Sequence, residues 1–179
     1  MAIRKASSYS KRIARPFTRK SGHKSKAYVK VVPNIKIGKF KFGNENDSVT
    51  GKHPYRVRLI NHERTQVRDV ALEACRMYTH KMMEAGAPGQ FYLNVKIYPQ
   101  HMLRENKISS GAAGADRTST GMTQSFGQVI GRAAIVSPNT DIIVISCSNE
   151  KAAKVARDAL KSVKAKIPGR TSIIFEKVN

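Results

Sequence analysis

The stretch DIIVISCSNEKAAKVARDALKSVKAKIPGRTSIIFEKV, Asp141–Val178, decides the fold. It begins with a β-branched run whose apolar part, Ile142–Ser146, has the length of one strand. Asn149 then stands where a helix N-cap belongs, and Ala153, Ala156, Leu160, Val163 and Ile167 recur at three- and four-residue spacing. The opposite face of that helix carries Lys151, Lys154, Arg157, Lys161 and Lys164. Ile167-Pro168-Gly169 stops it, and TSIIFEKV closes the chain as a strand.

Outward from there, RAAIVS (Arg132–Ser137) reads as a further strand, joined to DIIVISC as a hairpin around an SPNT turn. QFYLNVKIY (Gln90–Tyr98) is β-branched and aromatic, hence a strand. Before it, Val67, Val70, Ala71, Ala74, Tyr78 and Met82 follow a helical period, with Thr65 as the cap and Gly86 and Pro88 as the end. YRVRLI (Tyr55–Ile60) alternates, which places Arg56 and Arg58 opposite Tyr55, Val57 and Leu59. GNENDSVTG reads as a loop. AYVKVVP and NIKIGKFKFG are strand-like with a basic outer face, interrupted at Pro33 and Gly38. Two helices over one mixed, mostly antiparallel sheet define an α+β two-layer sandwich. Residues 27–179 form the single domain, which includes a long internal loop, 101–131.

The balance of charge points to a polyanion. The 179 residues hold 33 Lys and Arg against 12 Asp and Glu, a formal net charge of +21. Nucleic acid, an anionic membrane and an acidic protein all fit that charge. No apolar run approaches the ~20 residues of a membrane span, and the basic start MAIRKASSYSKR has no apolar stretch behind it. Cys75 and Cys147 make neither a disulfide framework nor a CxxC, which favours a reducing, cytoplasmic setting. Thirteen of the bases precede Glu45, the first carboxylate. Residues 1–26 have few aliphatics and no period, so they cannot bury enough surface to fold alone. They read as a basic extension that orders on RNA, through Arg4, Lys5, Lys11, Arg12, Arg15, Arg19, Lys20, Lys24 and Lys26. Arg56 and Arg58 add a basic sheet face to that set.

No enzyme emerges from the motifs. The soft run GAAGADRTSTGMTQSFG (Gly111–Gly127) lacks the GxxxxGK[ST] of a phosphate loop and the strand–GxGxxG–helix of a dinucleotide site. GAAG matches the bare GxxG of KH domains but lacks helices on both sides. The five histidines are scattered, HExxH is absent and no Cys/His cluster offers metal ligands. Glu105 and Asp116 stand beside Arg104, Lys107 and Arg117, as salt-bridge partners do. No cofactor is expected. A long, small-residue loop bearing a few bases remains, either a connector or a finger that reaches a crowded partner.

HMLRENK, AGADR, TGM and FG (His101–Lys107, Ala113–Arg117, Thr120–Met122, Phe126–Gly127) resemble the motifs of the universal large-subunit ribosomal protein sixteen family. The similarity is to its archaeal and eukaryotic branch, protein ten-e, and extends over nearly the whole chain. RKASSYSKRIARPFTRKS, VPNIKIGKFKFGN, ALEACR and PGRTSIIF carry it outside the loop. The resemblance implies an α/β hammerhead-type sandwich and a structural, ribosome-bound role in the large subunit, on its rRNA beside the aminoacyl-tRNA site. It implies aminoacyl-site tRNA and neighbouring large-subunit proteins as partners, with no membrane and no homo-oligomer. The loop would point toward the peptidyl transferase centre, with Arg104, Asn106 and Lys107 at its base and Arg117 and Met122 within it. Thr123 and Gln128 stand where the branch usually has bases. A free-standing RNA-binding or ribosome-assembly factor is the competing reading, and a small nucleotide-using enzyme the more distant one.

Overall fold

The computed structural model describes residues 31–105 and 128–178, together with Ser7, Tyr9, Ser10 and Val29. The elements run β1 (Lys41–Gly43), α1 (Glu45–Val49), β2 (Tyr55–Asn61), β3 (Thr65–Arg68), α2 (Asp69–Gly86), β4 (Phe91–Val95) and β5 (His101–Glu105). They continue as β6 (Gln128–Val136), β7 (Thr140–Cys147), α3 (Glu150–Val163), a short 3-10 turn (Lys164–Lys166) and β8 (Thr171–Lys177). The α+β class holds, but the single mixed sheet does not. Two sheets form among the described residues, β1-β4-β7-β2-β8 and β3-β6-β5, and every pairing in them is antiparallel.

The expected hairpin at SPNT is the point where the two sheets separate. β6 pairs with β3 and β5, whereas β7 pairs with β2 and β4, so β6 and β7, adjacent in sequence, do not pair with each other. Pro138 has no N–H for a ladder. Asn139 takes φ 60 and donates its N–H to Asn61 O at 2.6 Å instead of closing a turn onto β6. The chain makes the same crossing at His62–Arg64, between β2 and β3. Asn61 lies opposite Thr140 and Thr65 opposite Val136, so the two chain segments change sheet side by side. This is the corner by which strands pass between packed sheets.

One face of the five-stranded sheet carries the core. Val57 and Leu59 of β2, Ile143 and Ile145 of β7, and Phe91 and Leu93 of β4 are fully or almost fully buried there. Burying side chains of this size stabilises by about 1.5–3 kcal/mol each. α3 covers the face as its periodicity predicts, with Ala153, Ala156, Leu160 and Val163 buried and Ile167 just beyond them. Asn149 is the N-cap residue, though its side chain donates to Gln90 Oε1 at 3.1 Å and not to the helix. α2 packs beside α3 at a close approach: a Cβ on Gly86 would come within 2.7 Å of Val155 Cγ1.

Elsewhere tertiary packing displaced local expectation. Thr65 begins β3 and caps nothing; α2 starts four residues later, and Leu72, Cys75, Thr79 and Met83 face the core. The alternative row Val70, Ala71, Ala74, Tyr78 and Met82 is half-buried or exposed. α2 carries apolar side chains over much of its circumference, so its period admitted two registers and contact with α3 selected one. GNENDSVTG holds α1, started by the Asn44 side chain accepting from Asp47 N at 3.3 Å. The basic run read as strand-like joins a sheet only at Lys41–Gly43. Residues 31–40 are held from the side instead: Lys36 N donates to Asp69 Oδ2 at 3.2 Å, Gly38 N to Glu73 Oε2 at 3.3 Å, and Arg132 Nε to Pro33 O at 2.7 Å.

Candidate nucleic-acid interface

β2 carries both predicted arginines of the sheet face. Val57 and Leu59 are locked into the core, so the pleat turns Arg56 and Arg58 to the other side. Their surroundings differ. Arg56 is exposed and forms no ion pair within the described residues. Arg58 is bonded to Glu176 on β8 and lies 3.5 Å from Asp141 on β7, so one guanidinium joins three adjacent strands. The hydrogen bond to Glu176 raises the affinity of Arg58 for its proton, opposed by burial and reinforced by the charge of Asp141. Neither acid is near Arg58 in sequence; antiparallel register alone brings them there. Arg58 is already neutralised, and Arg56 is the cation that this face presents.

α3 presents a denser row. Lys151, Arg157, Lys161 and Lys164 are exposed, and Lys154 sits 3.3 Å from Glu150 one turn earlier. Lys36, Lys39 and Lys96 are also exposed, and the sequence reading had not assigned them to the interface. The signal for Lys36 and Lys39 was the acid-free run before Glu45, whereas Lys96 stood within QFYLNVKIY, read only as a strand. Lys41 is spent on Glu45: the hydrogen bond between them holds the Lys41 ammonium above its ordinary range and the Glu45 carboxyl below its own. Arg76 likewise holds the Glu73 carboxyl low while lying 4.6 Å over the Phe42 ring.

The long loop is shorter than 101–131. His101–Glu105 and Gln128–Val136 are paired strands, so HMLRE belongs to the three-stranded sheet and Arg104 is a partly buried strand residue opposite Val129. A β-bulge between Leu103 and Arg104 re-aims the strand at that point. His101 is buried, and desolvation lowers its pKa, which keeps the ring neutral near pH 7. Met102 and Leu103 are buried beside it. β5 and β6 thus form an antiparallel stalk from which residues 106–127 depart and to which they return.

The basic extension touches this same sheet. Gln66 N donates to Ser10 O at 3.0 Å and Gln66 Nε2 to Tyr9 O at 3.0 Å, while the Ser10 hydroxyl donates to Ser7 O at 2.6 Å. Ser10 is 7% exposed. Tyr9 and Ser10 thus meet the margin of β3 through Gln66. Arg4, Lys5, Lys11, Arg12, Arg15, Arg19, Lys20, Lys24 and Lys26 lie outside the described residues, as do Asn106, Lys107, Arg117 and Met122. Among the described residues no group of three or more His, Cys, Asp or Glu side chains converges as a metal site. No helix there is long and apolar enough to cross a membrane. Cys75 and Cys147 are buried free thiols.

A two-sheet α+β domain with exposed bases on a helix and a strand, and a basic extension clipped to one sheet, is of the class that binds nucleic acid. The family model for ribosomal protein L16p/L10e matches residues 14–174, and the chain belongs to that family. The large ribosomal subunit protein uL16 of Staphylothermus marinus is 37% identical over 177 residues, covering 98% of this chain and 95% of that protein. Its counterpart in Thermoplasma acidophilum is 38% identical over 167 residues, 92% of each chain. That of Archaeoglobus fulgidus is 36% identical over 168 residues, covering 93% of this chain and 90% of the relative. Membership makes this a structural ribosomal protein and not an enzyme, in keeping with the missing catalytic and phosphate motifs.

Proposed function

We propose that this chain is a structural constituent of the large ribosomal subunit that binds the subunit's rRNA beside the aminoacyl-tRNA site. It works bound to cytoplasmic ribosomes, among neighbouring large-subunit proteins, and as a single copy, because a net charge of +21 repels a second one. In this reading the bases of residues 1–26, together with Arg56, neutralise rRNA phosphates. Residues 106–127, with Asn106, Lys107, Arg117 and Met122, extend from the β5–β6 stalk toward the peptidyl transferase centre and the end of the bound tRNA. Arg104 then fixes the base of that finger.

The observation that supports it is the extent of the family match: residues 14–174 span the stalk and the positions of AGADR and TGM. A finger of Gly, Ala, Ser and Thr allows close backbone approach in a crowded RNA site. The experiment is reconstitution of large subunits depleted of this protein, with 111–127 replaced by a short Gly/Ser linker. Incorporation should be retained and aminoacyl-tRNA binding impaired, with Arg117→Ala giving a milder defect. Lost incorporation would make the loop an anchor, and full tRNA binding would make it a connector. A wild-type chain that leaves large subunits at high salt would instead be a free-standing RNA-binding or assembly factor.

A further inference from the structure

β8 is an edge strand, and among the described residues no strand pairs with its outer side. Only β1 and β8 lie at the margins of the five-stranded sheet. β1 is three residues long and leads at once into α1. In the other sheet, the margin at β3 is met by Ser10. β8 is seven residues long and pairs with β2 over its full length without a register shift. Among the described residues none bonds to its other edge. A long, flat, unpaired edge is a template for another strand, and proteins normally blunt one with Lys, Pro or a bulge. β8 has none of these before Lys177. It offers Ser172, Ile173, Ile174 and Phe175 instead. Phe175 is 46% exposed and stacks on Tyr55 at 6.0 Å between centroids.

We infer that β8 receives an added strand from a neighbouring ribosomal protein, an extended segment whose apolar side chains pack on Phe175 and Tyr55. The inference rests on the ribosomal role proposed above for the source of its partner. Charge selects a peptide over RNA. The only acid on the strand, Glu176, is bonded to Arg58, and no base precedes Lys177, so phosphates find better sites on α3. Charge also opposes a second copy, since each chain carries +21. A peptide segment supplies neutral C=O and N–H partners for the unpaired N–H and C=O groups of this edge, and alternate side chains to meet Phe175.

The test uses full-length protein in large subunits purified at high salt, carrying Phe175→p-benzoylphenylalanine or, as a control, Lys154→p-benzoylphenylalanine. After irradiation, position 175 should be joined to a segment of another ribosomal protein, and position 154 to rRNA. Amide exchange over 171–177 in the wild-type chain should slow roughly tenfold or more from free protein to subunit. Unchanged exchange overturns the inference whatever the crosslink, as does a position-175 crosslink to rRNA or to a second copy. If the Phe175 variant fails to incorporate, wild-type exchange decides alone. Failure of the wild-type chain to sediment with large subunits overturns the ribosomal role itself, a result distinct from all of these.

Discussion

Replacing Arg58 by glutamine removes the cation that joins β7, β2 and β8. A hydrogen bond to a charged group contributes about 1.5–3 kcal/mol when well shielded, and fully exposed ion pairs contribute about 0.2–1 kcal/mol. The Arg58 side chain is 26% exposed, with Asp141 at 28% and Glu176 at 38%, so the pairings fall between those limits. The 3.5 Å contact to Asp141 is the weaker of the two. Arg58→Gln should therefore cost about 1–2 kcal/mol, a fall in Tm of about 2–8 °C for a domain of this size. Arg56→Gln, two residues away on the same face, should leave Tm within about 1 °C, because an exposed surface change is usually within ±0.5 kcal/mol. The RNA effects should run the other way. Binding to a large-subunit rRNA fragment across a KCl series should show the slope of log K against log salt reduced by about 0.7–0.9 for Arg56→Gln, one phosphate contact. For Arg58→Gln the slope should be unchanged. A reduced slope with unaltered Tm for Arg58→Gln would refute the reasoning, because it would mean that the guanidinium is free to meet phosphate.

Three further outcomes are expected. Gly43→Ala should destabilise by about 1–3 kcal/mol, since Gly43 holds φ +88 and an added Cβ would lie 2.1 Å from Phe91 O; urea denaturation checks this, and a neutral result would mean that β1 is not docked as described. Burial pushes the thiols of Cys75 and Cys147 up to about 12, so both stay protonated at any pH well below that value. Alkylation by iodoacetamide at pH 8 should be negligible in the folded protein and rapid in denaturant, by mass spectrometry, and fast native labelling would contradict the buried positions. Deleting residues 1–6 should lower the rRNA salt slope through Arg4 and Lys5 while preserving Tm, whereas deleting 1–10 should also lower Tm, because Tyr9 and Ser10 bond to Gln66.

Much of this protein was legible without coordinates wherever one element's own pattern admitted one answer. α3 has a single apolar stripe, Ala153 to Ile167, against a row of bases, so its position over the sheet followed from spacing. β2, β7 and β8 alternate or run apolar at strand length and were placed within a residue, and β4 was found but ends at Val95, three residues before Tyr98. The excess of bases and its concentration before Glu45 set the class of partner, because long-range charge needs no fold to be counted. Where a segment had two local solutions, only tertiary contact chose. α2 took the face of Leu72 and Cys75 because α3 packs there, and Thr65 entered β3 because β6 supplies the hydrogen bonds. The division into two sheets depends on Asn139 bonding to Asn61 across 78 residues of chain, a pairing that no local pattern encodes. The same holds for Arg58, whose two carboxylates lie 83 and 118 residues away. Charge and periodicity are sums over neighbours in sequence. Register and ion pairing belong to neighbours in space, and antiparallel strands bring distant residues into contact only once the sheet exists.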